Sequence, residues 1–191
     1  INKEIYEKMQ ETAKNYPYYG SEKPQEVPDP DDPDKMMVVK EPVEIGATLI
    51  ENKTGKIISF VGGRNFKREQ TNHATRAPRQ NGSTMKPLLV YAPAMELGKL
   101  HPGSVLPDVQ VFLNGKGKAW PNNYDMRYSG LTSARHALMK SYNVPAVLAY
   151  KSILGQRPAN FLDKMGFSNL QPDDYSNLST AIGSLRGGVT V

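Results

Sequence analysis

The sequence predicts an α+β fold, on three observations. Two β-rich runs, 46–51 and 56–61, flank Asn52-Lys53-Thr54-Gly55, a turn that supplies Asn and Gly for a hairpin. Several later stretches place apolar residues at helical spacing. Strands and helices do not alternate as βαβ units would, so a doubly wound parallel sheet is excluded.

The elements follow in chain order. Ile5, Met9 and Ala13 recur at i, i+4 and i+8, which predicts a helix over 3–14, ended by Pro17 and Gly20. Residues 22–34 are acidic and carry four prolines, and they read as a solvated loop rather than as a cation site. The first division is therefore 1–45, a helix and an acidic Pro-rich loop leading into 46–191. Gly62-Gly63 releases the hairpin into a polar loop over 64–82. Met85, Leu88, Leu89, Ala92 and Met95 predict a helix over 83–98; Pro87 is tolerated in its first turn and Pro93 should kink it. Residues 101–130 read as irregular, with a short hairpin at 109–120. Three helices are expected over 132–167. Thr132 or Ser133 caps the first, Asn143-Val144-Pro145 opens the second, and 158–165 forms the third, ended by Gly166. Residues 176–191 give no clear pattern.

Composition limits function. The 191 residues hold 24 Lys+Arg against 19 Asp+Glu, a net charge of +5. Their dispersal lacks the basic cluster with interleaved aromatics of a nucleic-acid binder. No cysteine is present, which excludes a disulfide scaffold, a thiolate metal site and a Cys nucleophile. His73, His101 and His136 are far apart and without carboxylates at ligand spacing, so no metal is predicted. No run approaches the ~20 apolar residues of a membrane span. Trp120 and Tyr124 read as a satellite hydrophobic cluster, with a place in a cleft as the alternative.

The chemistry concentrates in Gly82-Ser83-Thr84-Met85-Lys86-Pro87. A Gly-preceded turn places Ser83 at a helix start, with Lys86 one turn on, on the same face. A serine hydroxyl is a poor nucleophile until a base takes its proton. A desolvated lysine amine can be that base. Four letters alone also describe a capped surface helix with a casual lysine. Ser141-Tyr142-Asn143, at the junction of two predicted helices, likewise reads as ordinary capping when taken alone. The conjunction in this order is what carries information.

With these motifs in place, the chain resembles the transpeptidase domain of class A (bifunctional) penicillin-binding proteins, within the serine penicillin-recognising enzymes. The likeness runs through 46–64, Asn72-His-Ala-Thr75, Arg79-Gln80, Lys86-Pro-Leu-Leu-Val-Tyr-Ala-Pro-Ala94, Ala137-Leu138 and Pro145-Ala146. It implies the penicillin-binding-protein transpeptidase or serine β-lactamase-like fold, an antiparallel sheet packed between helices. It implies an acyl-serine at Ser83, Lys86 as general base, Ser141 as proton relay and Asn143 as a substrate and Lys86 anchor. Substrates would be peptidoglycan stem peptides ending in D-Ala-D-Ala, with β-lactams as their mimics. No cofactor is implied. The resemblance places the site on the extracytoplasmic face of a bacterial membrane, through an anchor in the parent protein.

Two departures stand out. Asn81 occupies a turn position where the family often has Pro, and Asn suits a turn. The family's third motif, Lys-Thr/Ser-Gly, is absent after Asn143. Lys53-Thr54-Gly55 spells it but belongs to the hairpin turn and is given no catalytic role. The chain is therefore expected to be C-terminally truncated within the family's domain. Two alternatives remain: a catalytically inactive truncated domain, and a serine β-lactamase or β-lactam sensor. A class A β-lactamase needs a deacylating Glu beyond Ser-x-Asn, and no Glu follows Asn143.

Overall fold

The computed structural model describes residues 1–115 and 117–191. They form two compact units, Ile1–Pro78 with Thr190–Val191, and Arg79–Val189. This division falls inside the stretch 46–191. Helices and antiparallel strand pairs are both present, as the α+β reading requires; the strands lie in three separate two-stranded sheets.

The first unit opens with α1 (Lys3–Asn15), whose Asn2 side chain caps it by accepting the Ile5 N–H at 3.1 Å. Tyr6 meets Phe60 edge-on at 5.7 Å, and the Gln10 amide donates to the Phe60 carbonyl at 3.0 Å. Phe60 belongs to β4 (Ile57–Val61), which pairs with β3 (Ala47–Ile50) across the Asn52–Gly55 turn, with a bulge between Leu49 and Ile50. The hairpin is the one expected.

The segment 22–34 is not a continuous loop. Lys23–Pro28 forms β1, antiparallel to β2 (Met36–Glu41), and only the acidic turn between them is loop. Met36-Met37-Val38-Val39 is the β-rich run that makes this possible. Pro24 and Pro28 are compatible with it because, four residues apart, they share one phase of the ladder. Their missing N–H groups can then face the free edge. In the turn, Asp31 N–H donates to the Asp29 carboxylate at 2.9 Å and Lys35 pairs with Asp32 at 2.7 Å.

The second unit is built around α4 (Asn143–Ile153). Val144, Pro145, Ala146, Val147, Ala149, Tyr150 and Ile153 are all buried, so this helix is apolar on nearly every side and sits inside the core. Packed with it are Met85, Leu89, Val90, Leu162, Ala181 and Leu185. The helix expected over 83–98 is three segments: a 3₁₀ turn at Gly82–Thr84, a π-helical stretch at Lys86–Tyr91 and α2 at Ala92–Glu96. The cause is Pro93. In α geometry its ring would meet the Leu89 carbonyl, and it has no N–H to offer. The chain widens instead, so that the Ala92 N–H bonds the Pro87 carbonyl five residues back.

Of the remaining strands, one lies where irregular chain was expected and the other runs up to the expected helix cap at Ser133. β5 (Val105–Asp108) pairs with β6 (Gly130–Ser133). Among the described residues of the hairpin expected at 109–120, Phe112 and Trp120 make an isolated parallel bridge, and Lys116 lies outside the described residues. α3 (Ala134–Met139) is capped by Ser133, which accepts the His136 N–H at 3.2 Å, and α5 spans Asn160–Lys164. The last segment returns to the start of the unit. Arg79 and Val189 exchange backbone hydrogen bonds of 2.9 and 2.8 Å, and Gly183 abuts Gly82.

Candidate active site

Ser83 lies in the 3₁₀ turn with its side chain exposed. Gly82 before it has φ +54°, a left-handed conformation that glycine adopts without penalty. Thr84 steadies the turn by donating its hydroxyl to the Asn81 carbonyl at 2.7 Å.

Lys86 opens the π-helical stretch and is completely buried. Its Nζ donates to the Ser141 carbonyl at 2.5 Å, to Ser141 Oγ at 3.1 Å and to Asn143 Oδ1 at 2.6 Å. All three acceptors are neutral, and no carboxylate pairs with Lys86 among the described residues. Burial without a counter-charge disfavours the ammonium and lowers its pKa from 10.5 to about 8.

Ser141 owes its place to the end of α3. Tyr142 N–H bonds the Ala137 carbonyl at 2.9 Å and Ser141 N–H bonds the Leu138 carbonyl at 3.0 Å. This is a Schellman termination, and Ser141 holds the left-handed position normally given to glycine. Its φ is +56°. A non-glycine residue there costs about 1–2 kcal/mol. The conformation turns both the carbonyl and the hydroxyl of one residue onto the same lysine.

Asn143 starts α4. Its Nδ2 donates to the Asn122 carbonyl and its backbone N–H donates to Asn123 Oδ1, both at 2.8 Å. Asn123 in turn donates through Nδ2 to Asp108 Oδ1 and to the Arg127 carbonyl, both at 2.8 Å. Asp108 is fully buried and also accepts the Ser129 N–H and hydroxyl at 2.8 and 2.9 Å.

Of the four residues singled out from sequence, Lys86, Ser141 and Asn143 share one hydrogen-bonded cluster, while Ser83 stands one turn from Lys86 and outside it. Sequence reasoning missed Asp108, Asn122 and Asn123. The only trace of them was the polar run Asn122-Asn123 beside Trp120. Trp120 packs against the core, as a satellite cluster would, whereas Tyr124 is fully exposed. Lys53-Thr54-Gly55 lies in the β3–β4 turn of the first unit. Among the described residues, no three His, Cys, Asp or Glu side chains are grouped to hold a metal, and no helix is long and apolar enough to cross a membrane.

Comparison with known proteins matches residues 45–186 to the family described as the penicillin binding protein transpeptidase domain. The chain is 39% identical over 147 residues to penicillin-binding protein 1F of Bacillus subtilis, covering 77% of the chain and 20% of that protein. It is 35% identical over 157 residues to penicillin-binding protein 1A of Neisseria flavescens, covering 79% and 19%. Among solved structures it resembles penicillin-binding protein 1A of Haemophilus influenzae, with a TM-score of 0.65 and 27% identity over 84% of the chain and 23% of that protein. The chain thus spans about a fifth of the length of the curated relatives it matches.

Proposed function

The chain belongs to the penicillin-binding-protein transpeptidase domain family, and from that premise we propose that it carries the acylating centre of a D,D-transpeptidase that cross-links peptidoglycan. The observation that supports this most is Lys86, a fully buried amine whose partners are all neutral. A structural lysine would reach water or a carboxylate. A buried amine with a pKa near 8 is suited to accept a proton near neutral pH.

In the proposed reaction Ser83 Oγ attacks the carbonyl carbon of the penultimate D-Ala and its proton passes to the neutral Lys86 amine. That amine keeps two N–H bonds, to the Ser141 carbonyl and to Asn143. The longer contact to Ser141 Oγ, at 3.1 Å, is the exchangeable one. The proton leaves along it to the departing nitrogen as the C–N bond breaks and D-Ala is released. An amine of a second stem peptide then attacks the acyl-serine, forms the cross-link amide and returns the proton to Ser83. The second hydrogen on Asn143 Nδ2 remains to bind substrate backbone. A β-lactam would open on Ser83 in the same way, and a parent protein would hold this centre on the extracytoplasmic face of the membrane.

The test is intact mass after incubation with penicillin. A single penicilloyl adduct is expected, absent in Ser83→Ala, forming about fivefold faster at pH 8 than at pH 7 as the neutral fraction of Lys86 grows. A folded protein that takes up no adduct would instead be the catalytically inactive domain. Rapid hydrolysis of the adduct would favour the β-lactamase reading.

A further inference from the structure

We propose that Asn123, braced by Asp108, is a positioning residue for this site: it caps α4 from a distance and thereby sets Asn143 and the Lys86 amine. The inference rests on the proposed role of Lys86 and adds residues that do not touch substrate.

The need arises at the start of α4. The first N–H groups of a helix have no partner within it. Tyr142, in the N-cap position, has no short polar side chain and makes no capping bond. Pro145 has no N–H to satisfy. The orphan donors are therefore those of Asn143 and Val144, and Asn123 Oδ1 accepts both, at 2.8 and 3.4 Å. The cap comes from a residue twenty positions upstream. Its orientation is unambiguous, because Nδ2 faces a carboxylate and a carbonyl while Oδ1 faces two N–H groups.

The same dipeptide holds Asn143 twice. The Asn122 carbonyl accepts Nδ2 of Asn143, so Oδ1 of Asn143 must point the other way, onto Lys86. Asn123 fixes the backbone of the same residue. Asp108, on β5, accepts one hydrogen bond from Asn123 and is itself held by two from Ser129, in a place where Asn123 is 3% exposed and Asp108 is wholly buried. A polar chain of this depth can hold Asn143 rigidly, because a missing partner would leave a buried group unsatisfied.

The experiment labels lysine with ¹³C and titrates Lys86 by NMR in the whole chain, alongside the rate of penicilloylation. Asn123→Ala is expected to loosen the amine into water, moving its midpoint from about 8 towards 10.5, and to slow acylation at least tenfold. Adding Asn123→Ala to Asn143→Ala is expected to slow acylation no further. An unchanged midpoint with acylation within twofold of the parent overturns the proposal, as does a double variant whose loss is the product of the single ones. If Asn123→Ala does not fold, Asp108→Asn decides. It keeps the shape but sets an N–H against a donor, so an unmoved midpoint there also overturns the proposal. A parent chain that is never acylated defeats the functional reading alone, since the titration still reports on positioning.

Discussion

Among the described residues, the unit Ile1–Pro78 buries the apolar side chains of Ala13, Val61 and Ala74. The unit Arg79–Val189 buries Met85, Leu89, Val90, Tyr150, Ile153, Leu162 and Leu185, along with many smaller ones. The first unit has hairpins, caps and surface ion pairs such as Arg68 with Glu44 at 2.5 Å around that small core, and Met36 and Val38 stay exposed. In the second, a helix-centred core surrounds a lysine whose partners are all neutral. The lesson is about where strained chemistry can be placed. The left-handed Ser141, the buried Lys86 and the buried Asp108–Asn123 pair all sit in the unit with the larger core.

The sharpest way to break this comparison uses one left-handed glycine from each unit. A Cβ on Gly183, at φ +85°, would lie 2.0 Å from the Gly82 carbonyl oxygen, next to Ser83. Gly55, at φ +72°, has nothing within 4 Å. Gly183→Ala should destabilise by about 2–5 kcal/mol, from overpacking plus left-handed strain, and should suppress acylation of Ser83. Gly55→Ala should cost about 1–2 kcal/mol, from strain alone. Urea unfolding of both variants checks this, and equal losses would remove the distinction between the units.

A second, smaller effect concerns Lys86 and has a defined sign. Its pKa is about 8 folded against 10.5 free. Between those values the unfolded chain binds more protons, so stability rises with pH, by about 1.4 kcal/mol per unit. Above the window the full contribution is present, and below pH 8 it is lost. Tyr91 and Tyr150, pushed up to about 12 by burial, oppose this trend above pH 10. Unfolding measured at pH 8 and pH 10 should therefore show the parent gaining about 2 kcal/mol relative to Lys86→Met, in which the two tyrosines act alone. An equal gain in both would assign the effect to other groups.

The smallest effect is expected in the first unit. Arg68 pairs with Glu41 and Glu44 where solvent reaches the guanidinium, and these carboxylates raise its pKa. Exposed pairs add little, because water and salt screen them. Arg68→Gln should leave the thermal midpoint indistinguishable from the parent, and a clear drop would mean that ion pairing carries more of this unit than its exposure suggests.

Several elements were legible in the residues themselves. Asn52–Gly55 determined its hairpin, because turn chemistry is local. Ile5, Met9 and Ala13 determined α1, and Asn143-Val144-Pro145 marked the opening of α4. Ser83, Lys86, Ser141 and Asn143 were visible as motifs. These motifs called for a desolvated Lys86 amine but could not name what strips its water, since burial is a property of everything packed around a side chain. Nor could they reveal that Ser141 takes a glycine's conformation, that Asn123 caps a helix twenty residues away, or that Gly183 must be bare to let Gly82 pass. Each of these depends on two stretches of chain meeting across the fold. Local sequence sets which shapes a segment prefers, and only tertiary packing decides which groups lose water and which partners they then require.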